Sequence, residues 1–398
     1  MSERVFVAGV GVIAAIGNNT AECLEALENG RAGMDEVTYL NSIHHGSIPV
    51  AEVKSSNGEL ASLTGLAPGI SRTALLSSKA AREAFNDAGL KNHATLRIGF
   101  VSANTVGGMD KSERFFAAFH EDTQKGRLRD VLNHECGSVT ELVADQLGIS
   151  QYVTTISTAC SSSANAVFFS ARLIKHNFLD VVIAGGTDAL TKFTLNGFNT
   201  LMILDREWCK PFDENRKGLN LGEGAGYLVL VSERVAASAK MKIYCELSGY
   251  CNANDAFHQT ASSPDGTGSF LAMQGALQRS GIHPSQIDYI NLHGTGTHNN
   301  DIAEGTAVKN LFDPSYPKMS STKSFTGHTL GASGGLEAVF SVLAIEHGIV
   351  FPNLRLDTAM KDLPFVPETV LQHTPVKNVL TNSFGFGGNC SSLIFSKI

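Results

Sequence analysis

The 398-residue sequence predicts an α/β fold made of two similar halves. Three observations lead there. Strand-length apolar runs alternate with segments whose apolar residues keep helical spacing. Several runs end directly in glycine-rich loops, where layered α/β proteins place their functional groups. The same order of elements then returns in the later part of the chain. Hydrophobic residues form 43% of the sequence and charged residues 17%, enough apolar mass to bury such elements on both faces.

Residues 4–9, RVFVAG, read as the first strand. Asn19 and Thr20 cap a helix over AECLEALENG, which stops at Gly30. Residues 73–89 keep helical spacing and also stop at a glycine. RIGFVSA (97–103) is a strand running into TVGGM. TTISTA is a short β-type run before Cys160, and Ala164, Val167, Phe168, Ala171 and Ile174 mark a helix after it. LDVVIAGG (179–186) is a continuous apolar strand of the kind buried on both faces. The second series begins with a strand at 241–251 and a helix at 268–281. IDYINLHGTGT (287–297) is a strand entering a glycine-rich loop. A helix at 331–348 holds the place of the Cys160 helix, and NVLTNSFGFGGN (378–389) is a strand entering the last such loop. The polar segment 232–240, SERVAASAK, is the expected junction. It divides a half 1–240, which carries Cys160, from a half 241–398, which carries His293 and His328.

The net charge of −7 gives no whole-molecule attraction for nucleic acid. Seven cysteines without a CxxC pair read as reduced thiols of a cytoplasmic protein. The apolar start, residues 5–17, is too short to span a bilayer, and no other segment reads as transmembrane.

Cys160 fits two roles. Cysteine is among the most buried residue types, so a small core residue is one. The other is a reactive thiol, because the first turn of a helix offers unpaired N–H groups and a positive dipole end that lower a thiol pKa. The small neighbours Ser161, Ser162 and Ser163 are expected to leave access. His293 and His328 lie in separate glycine-rich loops at matching places, which favours function over two structural residues. Lys323, five residues before His328, reads alone as a solvated charge. His293 and His298 lack helical metal-ligand spacing, so no metal site is expected. Two short motifs are decoys. GVGVIA (9–14) fits a dinucleotide loop, but no helix opens within its glycines and no acidic residue ends a clear second strand. GASGG (331–335) fits a nucleophile elbow, but polar residues precede it rather than a buried strand, so close helix packing explains it better.

With these residues on view, the chain resembles the β-ketoacyl-acyl carrier protein synthases, condensing enzymes of the thiolase superfamily, and among them the elongating type. The resemblance spans RVFVAGVGVIAAIGNN, STACSSSAN, DVVIAGGTDAL, KPFDENRKGLNLGEGAGYLVL, HGTGTHNNDIAE, KSFTGHTLGASGGLEAV and NSFGFGGN. It implies a thiolase-like fold of αβαβα layers, a homodimer and an acyl carrier protein as partner, with no cofactor. It also implies roles. Cys160 is the acyl-accepting nucleophile, with His293 and His328 paired beside it. Lys323 supports the second histidine, and Glu304 is the acidic residue after the first histidine motif. Phe386 is the gate residue whose N–H joins that of Cys160 in an oxyanion hole. Val106 is placed either in the acyl pocket or in the core. Arg72, Lys125, Arg127, Arg129, Arg206 and Lys210 are the docking candidates for an acidic carrier protein.

Three departures stand out. His298 and Asn300 replace the proline and glycine usual after the first histidine motif, and Asn389-Cys390 replaces Thr-Asn after FGFGG, which puts gate-loop hydrogen bonding in question. The basic cluster common near Arg72 is absent. Two other readings remain. One is a non-catalytic, chain-length-setting partner subunit. The other is a coenzyme A-dependent thiolase with Cys390 as its second thiol.

Overall fold

The computed structural model describes residues 3–90, 95–239 and 241–398. Its strands, in chain order, are β1 (Val5–Ala14), β2 (Ile98–Ala103), β3 (Tyr152–Ile156), β4 (Val181–Asp188), β5 (Gly224–Ser232) and β6 (Cys245–Asn254). They continue with β7 (Tyr289–Asn291), β8 (Lys318–Ser320), β9 (Ile349–Val350), β10 (Gln372–His373), β11 (Asn378–Phe384) and β12 (Asn389–Ser396). β9 and β10 pair with each other. The other ten run in the order β3-β2-β4-β5-β1-β6-β12-β11-β7-β8. Either side of the β1–β6 join repeats one pattern. β3, β2 and β4 are parallel, with β5 and β1 antiparallel beyond them. β8, β7 and β11 are parallel, with β12 and β6 antiparallel beyond them. The join itself rests on two residue pairs, Phe6–Glu246 and Val7–Cys245.

Helices complete the layers. Arg72–Asp87 covers β1, β5 and β4 from outside, and Thr267–Ser280 covers β6 and β12 from the other side. Ser162–Lys175 and Ser333–His347 lie in the middle and touch strands of both groups. Ala164, Val167, Ala171 and Ile174 enter the largest core cluster, as their spacing predicts. β1, β2, β4 and β5 are buried along their whole length.

The structure also differs from the sequence reading. The first strand does not stop at Gly9 but runs through GVGVIA to Ala14. Its glycines admit the helix Arg72–Asp87, since a Cβ on Gly9 would lie 2.4 Å from the Ala84 carbonyl and one on Gly11 2.2 Å from that of Ala80. The motif is a helix–strand contact, not a phosphate loop. GASGG is likewise a packing device. A Cβ on Gly334 would meet Ala164, and one on Gly335 would meet the Gly226 backbone. β5 and β12 are strands that the alternation did not mark. The junction segment is helical over Glu233–Ala239, and Lys240 lies outside the described residues. Among the described residues, no helix is long and apolar enough to cross a membrane.

Candidate active site

Cys160 sits just before the helix Ser162–Lys175, on a turn strained at Ala159, whose φ is 53°. The three serines do not keep access open. All are fully buried and each carries a structural hydrogen bond. Ser161 Oγ shares its one proton between the Thr158 carbonyl (2.8 Å) and Asn389 Oδ1 (2.6 Å), Ser162 Oγ accepts from the Thr158 N–H (2.8 Å), and Ser163 Oγ accepts from the Gly335 N–H (2.8 Å). The last bond ties the two middle helices together beside the sulfur.

The sequence brings two imidazoles to that sulfur from distant loops. His328 Nε2 is 3.1 Å from Cys160 Sγ, and its Nδ1 is 2.9 Å from Ser333 Oγ. The His328 loop is fixed by its N–H to the Asn220 carbonyl (2.7 Å). The His293 ring lies 5.4 Å from the His328 ring, edge to face. Glu304 holds the His293 loop by accepting from the N–H groups of His293 and Gly294, each at 2.8 Å, and from Asn382 at 3.0 Å. Lys323 does not contact the second histidine as expected. Its Nζ is 3.2 Å from Nδ1 of His293, and its ion-pair partner is Glu337. The short helix Lys323–Thr326 points the chain away from its own neighbour in sequence, so His328 feels this lysine only through its charge.

Electrostatics follow from burial. Both histidines are held well below the usual imidazole pKa, first by desolvation and then by the Lys323 charge. They stay neutral, and because an ammonium has no acceptor, Nδ1 of His293 must accept and its Nε2 must carry the proton. The Cys160 thiol is pushed up to about 11 by burial, against the helix-terminus expectation. Lys323 and the N–H groups of Phe386 and Cys160 pull the other way, but desolvation wins. We therefore expect alkylation of Cys160 by iodoacetamide to accelerate about tenfold per pH unit between about pH 6 and 9. A plateau below about pH 7 in the mass-spectrometric time course would show a preformed thiolate instead.

Cys160, His293, His328 and Phe386 line one cavity of about 230 Å³. Apolar Phe198, Ile203 and Leu219 line it together with polar Thr295, Thr297 and Asn300, and exposed His298 also faces it. Phe386 stacks on Phe198 with ring centres 5.7 Å apart. Gly385 lies against the nucleophile turn, where a Cβ would stand 3.1 Å from the Cys160 nitrogen. Asn389 does not weaken the gate loop. Its Oδ1 accepts from Ser161 Oγ (2.6 Å), Asn165 Nδ2 (2.8 Å) and Asn252 Nδ2 (2.8 Å), pinning the loop to the Cys160 turn.

Other expected residues lie elsewhere. Val106 does not line the cavity; it packs with Val50, Leu190, Leu219 and Leu221. Arg72 is no docking residue. It is 6% exposed, and its guanidinium bonds Glu223 and the Val53 and Ser55 carbonyls, which leaves nothing to offer a partner. Arg206, Lys125, Arg127 and Arg129 are exposed, Arg127 pairing with Asp130 and Lys210 with Asp357. Cys390 is buried beside Phe384 and Ala272, outside the cavity lining, and burial pushes it up to about 12. It supplies no second thiol to the site.

The family model of the beta-ketoacyl synthase N-terminal domain matches residues 2–236, and that of the C-terminal domain matches residues 244–357. The chain belongs to the beta-ketoacyl synthase family. Its fold is the thiolase-like one expected. One similar protein is 3-oxoacyl-[acyl-carrier-protein] synthase 2 of Staphylococcus aureus (strain N315), 34% identical, with 100% of this chain and 99% of the relative covered. Among solved structures, the ishigamide ketosynthase/chain length factor is 28% identical at a TM-score of 0.93, over 100% of both chains. A type II PKS acyl-carrier protein in complex with its ketosynthase bound to the hexaketide is 26% identical at 0.90, again over 100% of both.

Within this beta-ketoacyl synthase, two buried acids escape the sequence reading. Glu337 pairs with Lys323 on an otherwise apolar stretch, SGGLEAVFSVLAI, and that lone buried charge is the signal that a counter-charge lies opposite. Asp188, at the end of β4, accepts from the N–H groups of Thr105 (2.8 Å), Val106 (3.1 Å) and Gly331 (2.7 Å) and so joins the loops around the cavity.

Proposed function

We propose that this chain is a 3-oxoacyl-[acyl-carrier-protein] synthase of the elongating type, with Cys160 as nucleophile and His293 and His328 as the decarboxylating pair. One observation carries the reading: a buried sulfur within hydrogen-bond distance of one neutral imidazole, with a second neutral imidazole beside it.

The geometry supports a sequence of two steps. The thiol gives its proton to His328 Nε2 as the sulfur attacks the acyl thioester of a carrier protein. The oxyanion is received by the N–H groups of Cys160 and Phe386. The departing carrier sulfur takes the proton back from His328. Malonyl-carrier protein then loses carbon dioxide, and its charge moves to the thioester oxygen. Nε2–H of His293 and of His328 stabilise that enolate without ionising. The carbanion attacks the acyl-Cys160 thioester and expels the Cys160 thiolate, which takes a proton from solvent. The product is a 3-oxoacyl thioester two carbons longer. Lys323 and Glu337 fix the His293 tautomer, and Glu304 fixes its backbone.

The same reading takes 1–240 and 241–398 as the two halves, supported by the break between matched segments at residues 236 and 244. It places the protein in the cytoplasm as a homodimer, supported by seven free thiols and by β3, whose outer edge ends the sheet. Arg206, Lys125, Arg127 and Arg129 are the docking cations it retains, all exposed. The test is the intact mass of the protein after incubation with acyl-carrier proteins of graded length. A stoichiometric acyl adduct on Cys160, with carbon dioxide release from malonyl-carrier protein, is expected. Absence of both would leave the non-catalytic partner subunit as the function.

A further inference from the structure

The proposed chemistry sets His328 two tasks that need opposite tautomers. To take the thiol proton, Nε2 must be bare, so the ring proton sits on Nδ1. To hold the enolate oxygen, Nε2 must carry the proton, so Nδ1 is bare. A group that only donates, or only accepts, at Nδ1 would lock one form and impair the other step. His293 is locked in this way by the Lys323 ammonium, and it has only the second task.

The group facing Nδ1 of His328 is a hydroxyl. Ser333 Oγ lies 2.9 Å from it and 3.2 Å from Thr329 Oγ1, and both hydroxyl residues are buried. These three atoms support two hydrogen-bond chains on one set of heavy-atom positions. In one, Thr329 donates to Ser333 and Ser333 donates to bare Nδ1. In the other, Nδ1–H donates to Ser333 and Ser333 donates to Thr329. We propose that Ser333, backed by Thr329, is a positioning residue that lets His328 alternate between its two neutral tautomers, so that one ring serves first as base and then as hydrogen-bond donor.

The proton account closes. During acylation the thiol proton passes to Nε2 and then to the departing carrier sulfur, and the ring ends as it began, with Nδ1–H. Before decarboxylation one proton leaves Nδ1 and one arrives at Nε2, exchanged with solvent, with no net change. The two hydroxyls reverse direction to match. The raised pKa of the Cys160 thiol makes the base step necessary rather than optional.

The inference rests on the proposed condensing function and is tested separately from it. Ser333→Ala leaves a buried Nδ1–H without an acceptor, so the ring settles as Nε2–H. Single-turnover acylation of Cys160, read by intact mass, is expected to slow by about tenfold to a hundredfold. Carbon dioxide release by the same protein is expected to stay within about threefold of wild type, because the donor tautomer is the one retained. Ser333→Thr keeps a hydroxyl and is expected to restore acylation. In ring-15N-labelled wild-type protein, His328 is expected to give nitrogen shifts averaged between the two neutral forms, and in Ser333→Ala a fixed Nε2–H pattern. Equal loss of both steps, acylation at the wild-type rate in Ser333→Ala, or a single Nε2–H tautomer in the wild type would overturn the proposal. Should Ser333→Ala fail to fold, Thr329→Ala and the wild-type spectrum carry the same decision, Thr329→Ala being expected to slow acylation alone. A wild-type protein that neither acylates nor decarboxylates would instead overturn the function beneath it.

Discussion

Cys160→Ala is expected to lower acyl transfer by a factor of about 10⁴ or more, the scale on which removal of a nucleophile acts when its partners cannot replace it. No other thiol stands in, since Cys390 lies outside the cavity and Cys209 is buried against Met34 and the Lys323 backbone. The same variant is expected to keep carbon dioxide release from malonyl-carrier protein within about tenfold of wild type. The imidazole pair that stabilises the enolate is held by Glu304, by Lys323 and by the His328 N–H bond to the Asn220 carbonyl, and none of these contacts passes through the sulfur. Intact mass and carbon dioxide assays on one preparation separate the two halves of the chemistry. Decarboxylation that vanished with the sulfur would mean that Cys160 itself organises the enolate site.

The second large effect is expected at Lys323. Lys323→Met leaves Glu337 buried without its counter-ion, at a cost of about 3–5 kcal/mol in unfolding free energy. The loss depends on pH with a definite sign. Burial has already pushed Glu337 up to about 7 in the intact pair, above the ordinary carboxyl value, so the folded state binds the proton more tightly than the unfolded state does. The deficit should shrink on acidification, when Glu337 becomes neutral, and grow as pH rises past that value. The double variant Lys323→Met with Glu337→Leu should regain most of the stability in urea titrations, because no lone charge remains. Decarboxylation should stay depressed in both, since Nδ1 of His293 has lost the donor that fixes its tautomer. A double variant as active as wild type would reduce the lysine to a structural role.

How much of this was legible in the residues differs from place to place. Long patterns were readable. The helix after Cys160 and the apolar strand around 181–188 follow directly from side-chain periodicity, because burial leaves only one face or none for polar residues. β5 was harder, since its glycines at 224 and 226 break the strand pattern for reasons that lie elsewhere, in the Ile13 carbonyl of β1 beside Gly224 and in the helix Ser333–His347 crossing Gly226. In the site, Cys160, His293 and His328 are drawn together as the resemblance implied, the two imidazoles arriving on glycine-rich loops. Pairings were not foretold. Lys323 stands five residues from His328 yet contacts His293, because a short helix turns it, and sequence distance carries no information about that turn. Arg72 looked like a surface cation for the same reason: its partner Glu223 is far away in the chain and meets it only in the folded molecule.

The ownership of the cavity has a further consequence. The sulfur belongs to the strand group that begins the chain, and both rings belong to the group that ends it. A polypeptide stopping after Ala239 would possess a nucleophile with nothing to relieve it of its proton, and the remainder would possess two imidazoles with no acyl group to elongate. Neither fragment is a smaller version of the enzyme, so the reaction centre exists only as a property of their union.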